Sequence, residues 1–410
     1  MNSIEKGLDE KISPKEMLSD EQRASAQSVE IETKEDKLAR HDLEVIESLQ
    51  TEWGTILAGP PSKESNSYNK MWIRDNALVA LALIQAGETE TATQITNGLM
   101  DLMEKYRPKI QETIKGGKPV GLMEEPPSEI KKAIKEGKGW DVVKGWHPKV
   151  EKLVKAGKPY AHERDASLIH PVYKDNGEEL EIEWGWHQND AIGNLLQAAG
   201  ALDLVNDHKD ITSDLVKYLE VTEYWEEDRG IWEEGKQVQT NTILSCTAGL
   251  KTVADYINVP EELIDKGYQT LDKLNRYSHS DKRDVDLAHL NPFMLGEIAD
   301  PYLIQVVEHE LLRGHGVIRY HGDRYMSGGK GREAEWVLGL LMLGQAWLAC
   351  DNRTKANEYL KRADKLRVKG GDFPEAYIYK NGKYIPNEHT PLAWCHALSL
   401  SLRRQLAKKN

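Results

Sequence analysis

The segment Ala334-Glu-Trp-Val-Leu-Gly-Leu-Leu-Met-Leu-Gly-Gln-Ala-Trp-Leu-Ala349 places apolar residues at helical spacing, and similar segments recur along most of the chain. Few segments show the alternation of apolar and polar residues that is typical of a half-buried strand. The predicted helices span 38–52, 76–86, 90–106, 188–203, 210–222, 241–256, 260–275, 296–312, 334–349, 353–366 and 390–406. Eleven helices approach the twelve of six helical hairpins, so the sequence predicts an all-α domain over residues 37–410, built as an α/α barrel.

Two regions depart from this pattern. Residues 1–36 are polar and highly charged, which predicts a loosely packed N-terminal arm. Residues 108–160 are rich in Lys and Gly and contain a repeat with a period of 20 residues, starting at Ile110, Ile130 and Val150. Each copy has two aliphatic residues four apart and then a glycine, which predicts a short amphipathic helix with a glycine C-cap. The insertion is either a duplicated surface segment or a cover or partner-docking surface near a functional site.

Composition and charge limit the possible partners. The chain has 410 residues and a formal net charge of −13, which argues against nucleic acid as the main partner because phosphate backbones require basic surfaces. A neutral polar substrate fits this charge better. No apolar run approaches the roughly 18 residues of a membrane span, and the first residues lack the apolar core of a secretory signal, so we expect a cytoplasmic protein without a membrane partner.

Cysteine spacing indicates no metal site. The three cysteines, Cys246, Cys350 and Cys395, form no Cys-x-x-Cys pair and lie in apolar helical segments. We therefore expect buried free thiols rather than a zinc site or a disulfide framework.

Aromatic composition is unusual, with 11 Trp and 16 Tyr against 2 Phe. Tryptophan and tyrosine combine a flat apolar face with a polar group, as sugars do. The alternative is that these side chains only fill the core. Their positions favour the first interpretation, because tryptophans accompany polar clusters in loops that precede predicted helices. These clusters lie at 68–75, 184–190, 228–235, 319–325 with 335–336, and 373–377 followed by Trp394. Indole rings beside paired carboxylates and arginines have the composition of a sugar pocket.

Taken in this order, the clusters resemble those of glycoside hydrolase family 15, the glucoamylases, and of the related domain in the phosphorylase kinase α and β subunits. The resemblance runs from about Tyr68 to about Leu400. It implies an (α/α)6 barrel with an active site at its funnel-shaped end. It also implies an inverting, exo-acting hydrolase that releases glucose from the non-reducing end of α-glucosides or maltooligosaccharides. Such a reaction needs no metal and no organic cofactor.

The resemblance implies two catalytic carboxyl groups. Trp232-Glu233-Glu234 matches the family's Trp-Glu-Glu motif, which makes Glu233 the expected general acid. Glu375 aligns with the late general base, although the surrounding residues read Pro-Glu-Ala-Tyr rather than Glu-Gln-Tyr.

The remaining matched residues would bind substrate. In the Tyr-x-x-x-Trp-x-Arg-Asp motif, Arg74 and Asp75 would bind hydroxyls of the terminal glucose, and Tyr68 would help to hold the attacking water. The full expected set is Tyr68, Trp72, Arg74, Asp75, Trp184, Gln188, Asp190, Trp232, Glu234, Arg319, Asp323, Trp336 and Trp394.

Three alternatives remain open at this stage. The stretch Asp228-Arg-Gly-Ile-Trp-Glu233 also resembles the kinase-subunit motif, which allows a glucan-binding or regulatory domain without turnover. Related enzymes cleave trehalose or isomalto-linkages. A third alternative is a scaffold in which Trp72, Trp184 and Trp232 are all buried in the core.

Overall fold

The computed structural model describes residues 33–60, 68–117, 168–180, 187–274 and 279–408, with short pieces at 122–124, 132–133, 135–136, 155–156 and 160–162. Its helices are α1 (Lys34–Ser48), α2 (Ile73–Ala86), α3 (Thr89–Lys105), α4 (Arg107–Gly116), α5 (Asn189–Ala201), α6 (Lys209–Val221), α7 (Thr240–Val253), α8 (Glu261–Leu271), α9 (Asn291–Met294), α10 (Pro301–Leu311), α11 (Val337–Ala349), α12 (Arg353–Asp364) and α13 (Ala393–Ala407). A 3-10 turn, Leu287–Leu290, leads directly into α9.

The helices form two concentric layers. Helices α2, α5, α7, α9, α11 and α13 contact one another in that order, and α13 closes the ring by packing on α2. Helices α1, α3, α6, α8, α10 and α12 pack against the outside of this ring. Apart from α4, which packs mainly on the outer helix α6, inner and outer helices alternate along the chain. The predicted (α/α)6 barrel is therefore confirmed.

Burial follows from the layer in which a helix lies. Every residue of α11 from Val337 to Trp347 is buried, as expected for a helix surrounded by neighbours. The outer helix α12 buries only a stripe, made by Ala356, Tyr359, Leu360 and Ala363. The spacing of that stripe matches one face of an amphipathic helix.

All eleven predicted helices are present, and each described end lies within five residues of the predicted one. The largest shift is at α10, which begins at Pro301 because Asp300 accepts a hydrogen bond from the Tyr302 amide and caps the helix. The sequence analysis missed the inner element formed by the 3-10 turn and α9. This element is short and contains Pro292, so it lacks the long apolar period of the other inner helices.

The N-terminal boundary differs slightly from the prediction. Thr33 and Asp36 form a capping box, in which each side chain accepts a hydrogen bond from the backbone amide of the other. Helix α1 therefore begins at Lys34, inside the region predicted as an arm. Residues 1–32 lie outside the described part of the chain.

The first copy of the repeat forms the predicted element. Helix α4 buries Ile110 and ends at Gly117, whose φ of 78° is readily adopted only by glycine. Most of the other two copies lie outside the described residues.

Short strands connect the loops at one end of the barrel. Strand β1 (Met71–Trp72) pairs with β4 (Val172–Tyr173), and β2 (Leu122–Glu124) pairs with β3 (Tyr160–His162). Strands β5 (Glu335–Trp336), β6 (Ala376–Lys380) and β7 (Lys383–Pro386) form an antiparallel sheet in that order. Because β1 and β5 run directly into α2 and α11, these pairings fix the loops that precede inner helices.

Cys246, Cys350 and Cys395 are free thiols, as predicted. The predicted burial is confirmed for Cys246 and Cys395 but is wrong for Cys350, which is partly exposed. None of the helices in the described ranges has the length and apolar character that crossing a membrane requires.

Candidate active site

The predicted site residues collect where the inner helices begin. Arg74 and Asp75 lie in the first turn of α2, Asp190 lies in the first turn of α5, and Trp394 lies in the first turn of α13. The inner helices all start at the same end of the barrel, because each returns through an outer helix. Their N-termini carry partial positive charge, which favours carboxylates at this end.

Arg74 joins three of the sequence clusters. Its Nε and Nη2 atoms donate to the two oxygens of Asp190 at 2.7 and 3.0 Å. Its Nη1 atom donates to Glu233 Oε1 at 2.9 Å, and Nη2 also donates to Gln188 Oε1 at 2.7 Å. Arg74 is only 3% exposed. A single buried guanidinium therefore brings together the clusters at 68–75, 184–190 and 228–235.

Replacement of Asp190 by Ala should destabilise the protein by about 3–5 kcal/mol, because it leaves a buried guanidinium without its bidentate partner. Denaturant unfolding monitored by circular dichroism measures this loss. The matched control is Asp265→Ala, an exposed aspartate on α8, with an expected change within about 0.5 kcal/mol. Equal unfolding midpoints for the two variants would contradict the role of Asp190.

The turn that carries Glu233 has unusual backbone geometry. Glu233 adopts a φ of 58°, which is uncommon for a residue with a side chain, and its amide donates to Gly230 O at 3.1 Å. Gly230 has a φ of 57°, and a Cβ atom there would lie 2.1 Å from the Gln239 side chain. The glycine is therefore required at this position, and the resulting turn directs the Glu233 carboxyl toward Arg74.

Asp286 holds Trp232, the neighbour of Glu233. Trp232 Nε1 donates to Asp286 Oδ1 at 2.7 Å, and Arg283 Nη1 donates to Asp286 Oδ2 at 2.5 Å. Burial raises the pKa of the Asp286 carboxyl, but His279, Arg283 and Trp232 together bring this pKa below its usual value. Asp286 thus remains an anion that fixes the indole. The sequence analysis missed Asp286 and Arg283, because both lie in a loop without a recognised motif.

Glu234 lies on the other side of the same turn. Its Oε1 atom accepts hydrogen bonds from Arg319 Nη2 at 3.2 Å and from the Tyr320 hydroxyl at 2.5 Å. Its Oε2 atom lies 3.1 Å from Arg283 Nη2. Arg319 is in turn held by Asp323 through two hydrogen bonds of 2.7 Å. The predicted residues Glu234, Arg319 and Asp323 therefore form one connected group.

Glu375 has a separate set of partners. Tyr68 donates its hydroxyl proton to Glu375 Oε1. Asn387 Nδ2 and His389 Nδ1 both donate to Oε2 at 2.8 Å. The Tyr68 and His389 rings are stacked, with centroids 3.6 Å apart. Hydrogen bonds to both oxygens fix the orientation of the buried carboxylate.

The β6–β7 hairpin explains how these donors reach Glu375. Glu375 precedes β6, whereas Asn387 and His389 follow β7, so the antiparallel pairing returns the chain to its starting point. Sequence reasoning missed Asn387 and His389. The available signal was the Asn381-Gly382 pair, which is typical of a tight hairpin turn.

Asp75 connects the two halves of the site. Burial, together with the negative charges of Glu233 and Glu375, raises the pKa of Asp75 to about 7, although Arg74 opposes this shift. Asp75 is therefore a weaker acid than an ordinary aspartate.

The aromatic residues differ in exposure. Trp72, Trp336 and Trp394 are buried, and Trp72 packs on Ala58 and Val172. Trp232 is partly exposed, which argues against the alternative in which Trp72, Trp184 and Trp232 are all buried in the core. Trp184 lies outside the described residues.

Tyr325 is a further aromatic residue at the site, absent from the predicted set. It is 37% exposed, and its ring stacks on Trp336 with centroids 6.0 Å apart. Its hydroxyl forms a hydrogen bond with Tyr68. Tyr325 thus extends the Tyr68–Glu375 contact toward the solvent.

Within the residues that the structure describes, no group of three or more His, Cys, Asp or Glu side chains is arranged to hold a metal ion. The chemistry available at this site is that of carboxyl groups, guanidinium groups, hydroxyl groups and aromatic faces.

Comparison with solved structures places the fold among the carbohydrate-cleaving α/α barrels. A glycosidase variant solved in complex with glucose is 17% identical, with a TM-score of 0.66, and the match covers 90% of this chain and 96% of that one. The glucoamylase of Saccharomycopsis fibuligera is 14% identical, with a TM-score of 0.57 and coverage of 91% and 94%. A bacterial glucoamylase complexed with acarbose is 15% identical, with a TM-score of 0.61 and coverage of 90% of this chain and 55% of that longer one.

The chain therefore has the fold of glycosidases and, more particularly, of glucoamylases, which confirms the predicted resemblance at the level of the fold. No protein-family model matches the sequence, and no curated protein matches it either.

Proposed function

We propose that this protein is an inverting glycoside hydrolase that releases glucose from the non-reducing end of α-glucosides or maltooligosaccharides. The observation that carries the proposal is the pair of carboxyl groups, Glu233 and Glu375, which are held in fixed orientations by different partners. Enzymes of this class need one carboxyl group as acid and a second as base, placed on opposite faces of the sugar.

Glu375 has the surroundings of a general base. The hydrogen bonds from Tyr68, Asn387 and His389 hold it in one orientation. In the proposed mechanism, Glu375 takes a proton from a water molecule beside the Tyr68 hydroxyl. The water then attacks the anomeric carbon as the glycosidic bond breaks.

Glu233 would act from the other face as general acid. It donates its proton to the glycosidic oxygen, and the departing sugar leaves as a neutral alcohol. Its hydrogen bond with Arg74 and its positive φ direct the carboxyl group. Arg74 and Asp75 would bind hydroxyls of the terminal glucose, while Trp232 and Tyr325 offer aromatic faces to the sugar rings.

The substrate class rests on the fold and on the site's chemistry. Proteins of the same fold have been solved with glucose and with acarbose, and the polar and aromatic groups here suit a neutral sugar. We propose an α-glucoside on these grounds.

Incubation of the purified protein with maltotriose tests this function directly. Proton NMR should detect β-glucose as the first product, before mutarotation mixes the anomers, because the water attacks opposite the departing bond. α-Glucose as the first product would contradict inversion. Saturable maltotriose binding without any product would instead support a regulatory glucan-binding domain.

Linkage preference requires a second comparison. Parallel assays with α-1,4, α-1,6 and α,α-1,1 disaccharides distinguish a maltooligosaccharide hydrolase from a trehalase or an isomalto-linkage glucosidase of the same fold.

A further inference from the structure

We propose that Arg283 is the residue that determines which leaving-group sugar the site accepts. This inference rests on the proposed hydrolase function and adds a specificity determinant to it. Arg283 lies in the loop at 279–286, before the Leu287–Leu290 turn, and belongs to none of the sequence clusters.

Arg283 is fixed from three sides. Its Nη1 atom donates to Asp286 Oδ2 at 2.5 Å, and its Nη2 atom donates to Glu234 Oε2 at 3.1 Å. The guanidinium carbon lies 3.4 Å from the centroid of the Tyr320 ring. A planar group held by two carboxylates and an aromatic face presents its remaining N–H groups in fixed directions, which reduces the entropy lost on binding.

The position of Arg283 is on the open side of the Trp232–Glu234 turn. Its side chain is 19% exposed and that of Glu234 is 29% exposed, whereas Arg74 and Arg319 are almost completely enclosed. Because Glu233 would protonate the glycosidic oxygen, the sugar beyond that oxygen would lie near its neighbour Glu234. Of the two cations bound to Glu234, Arg283 is the more exposed.

The hydrogen-bonding groups of Glu234 and Arg283 that are not used within the protein indicate how that sugar is recognised. A carboxylate has about four lone-pair positions, and three donors already bind Glu234, which leaves about one for a sugar hydroxyl. A guanidinium has five N–H donors, and the two contacts to Asp286 and Glu234 leave about three. Recognition of the leaving group therefore falls mainly to N–H donors of Arg283, which bind hydroxyl oxygens.

The local charge favours a neutral leaving group over an anionic one. Arg283 lies between two carboxylates, Asp286 and Glu234, so it carries no unbalanced positive charge toward the substrate. Its fixed direction also makes it sensitive to linkage. In α-1,4, α-1,6 and α,α-1,1 glucosides the second ring offers its hydroxyls at different positions, so donors held in fixed directions should bind the three second rings to different extents.

The test compares Arg283→Leu and Arg283→Lys with the unmodified protein. We would measure kcat/KM on maltose, isomaltose, trehalose and α-glucosyl fluoride, which has no leaving-group sugar. The leucine variant should lose about ten- to a hundredfold on the preferred disaccharide, as expected for a hydrogen bond to a charged group. The preference among disaccharides should shrink, and the loss on the fluoride should be much smaller. An equal loss on fluoride and disaccharides, or an unchanged preference, would overturn the inference.

Two controls make the result specific. Arg332 also lies over a tyrosine ring, 4.3 Å from the Tyr379 centroid. The described donors to the Glu234 carboxylate are Arg283, Arg319 and Tyr320, so Arg332→Leu should leave the preference among disaccharides unchanged. Arg283→Leu removes a hydrogen-bond donor from the buried Asp286 carboxylate and could prevent folding. In that case Arg283→Lys is the variant to measure. Lysine keeps the charge but loses the stacking and the fork of donors, so it should still weaken the preference.

Cleavage of α-glucosyl fluoride also distinguishes a failure of this inference from a failure of the proposed function. An unmodified protein that cleaves neither the fluoride nor any disaccharide would overturn both. Cleavage of the fluoride with an unchanged preference in the Arg283 variants would overturn only the role of Arg283.

Discussion

Glu233→Gln should lower kcat on maltotriose by about a hundredfold or more, because the amide is unable to give a proton to the glycosidic oxygen. The substitution keeps the size of the side chain, and the amide oxygen is still able to accept the hydrogen bond from Arg74. Substrate binding should therefore change less than turnover. Steady-state measurement of kcat and KM, with thermal unfolding as a folding check, gives the result.

The leaving group provides the control for this prediction. Fluoride departs without protonation, so Glu233→Gln should retain much more of its activity on α-glucosyl fluoride than on maltotriose. The exposed Glu358 on α12 gives a matched variant, Glu358→Gln, with no expected effect. Near-normal turnover of maltotriose by Glu233→Gln would remove Glu233 from the acid role.

Glu375→Ala should lower kcat by about 10²–10⁴-fold on maltotriose, since no other group would take the proton from the attacking water. Here the loss should be as large on α-glucosyl fluoride, because this substrate still requires activated water. The two glutamate variants thus respond differently to the same change of leaving group. Initial rates on both substrates measure the contrast.

External azide offers a direct control for Glu375. The truncated side chain leaves space for an anion that needs no activation, so azide should restore turnover and yield β-glucosyl azide. The absence of rescue, together with normal activity of Glu375→Ala on the fluoride, would show that Glu375 does not act on the water.

Much of the fold was predictable from the sequence because the inner helices are long and almost wholly apolar, whereas the outer helices are long and amphipathic. The interior of the barrel requires apolar helices such as α11, and the outer layer requires amphipathic ones such as α12. The short element before Met294 was not predictable in this way, since four residues of α-helix after a 3-10 turn carry too little period.

The candidate site was predictable where function requires several residues within one loop. Arg74 and Asp75 are adjacent, as are Trp232, Glu233 and Glu234, so these groups formed visible clusters. Residues that act through tertiary contacts left no such signal. Asp286 reaches Trp232 from a distant loop, and its role follows only from the hydrogen bond between them.

The hairpin formed by β6 and β7 has a consequence for how this fold tolerates insertions and deletions. Glu375 lies just before β6, and its donors Asn387 and His389 lie just after β7, so the pairing of the two strands brings them together. Insertion or deletion of one residue in either strand would shift the register and move Glu375 away from these donors. The turn at Asn381 and Gly382 is exposed, and these residues have positive φ angles of 53° and 84°. An insertion should therefore be better tolerated at this turn than within either strand, provided that the new turn keeps Lys380 paired with Lys383.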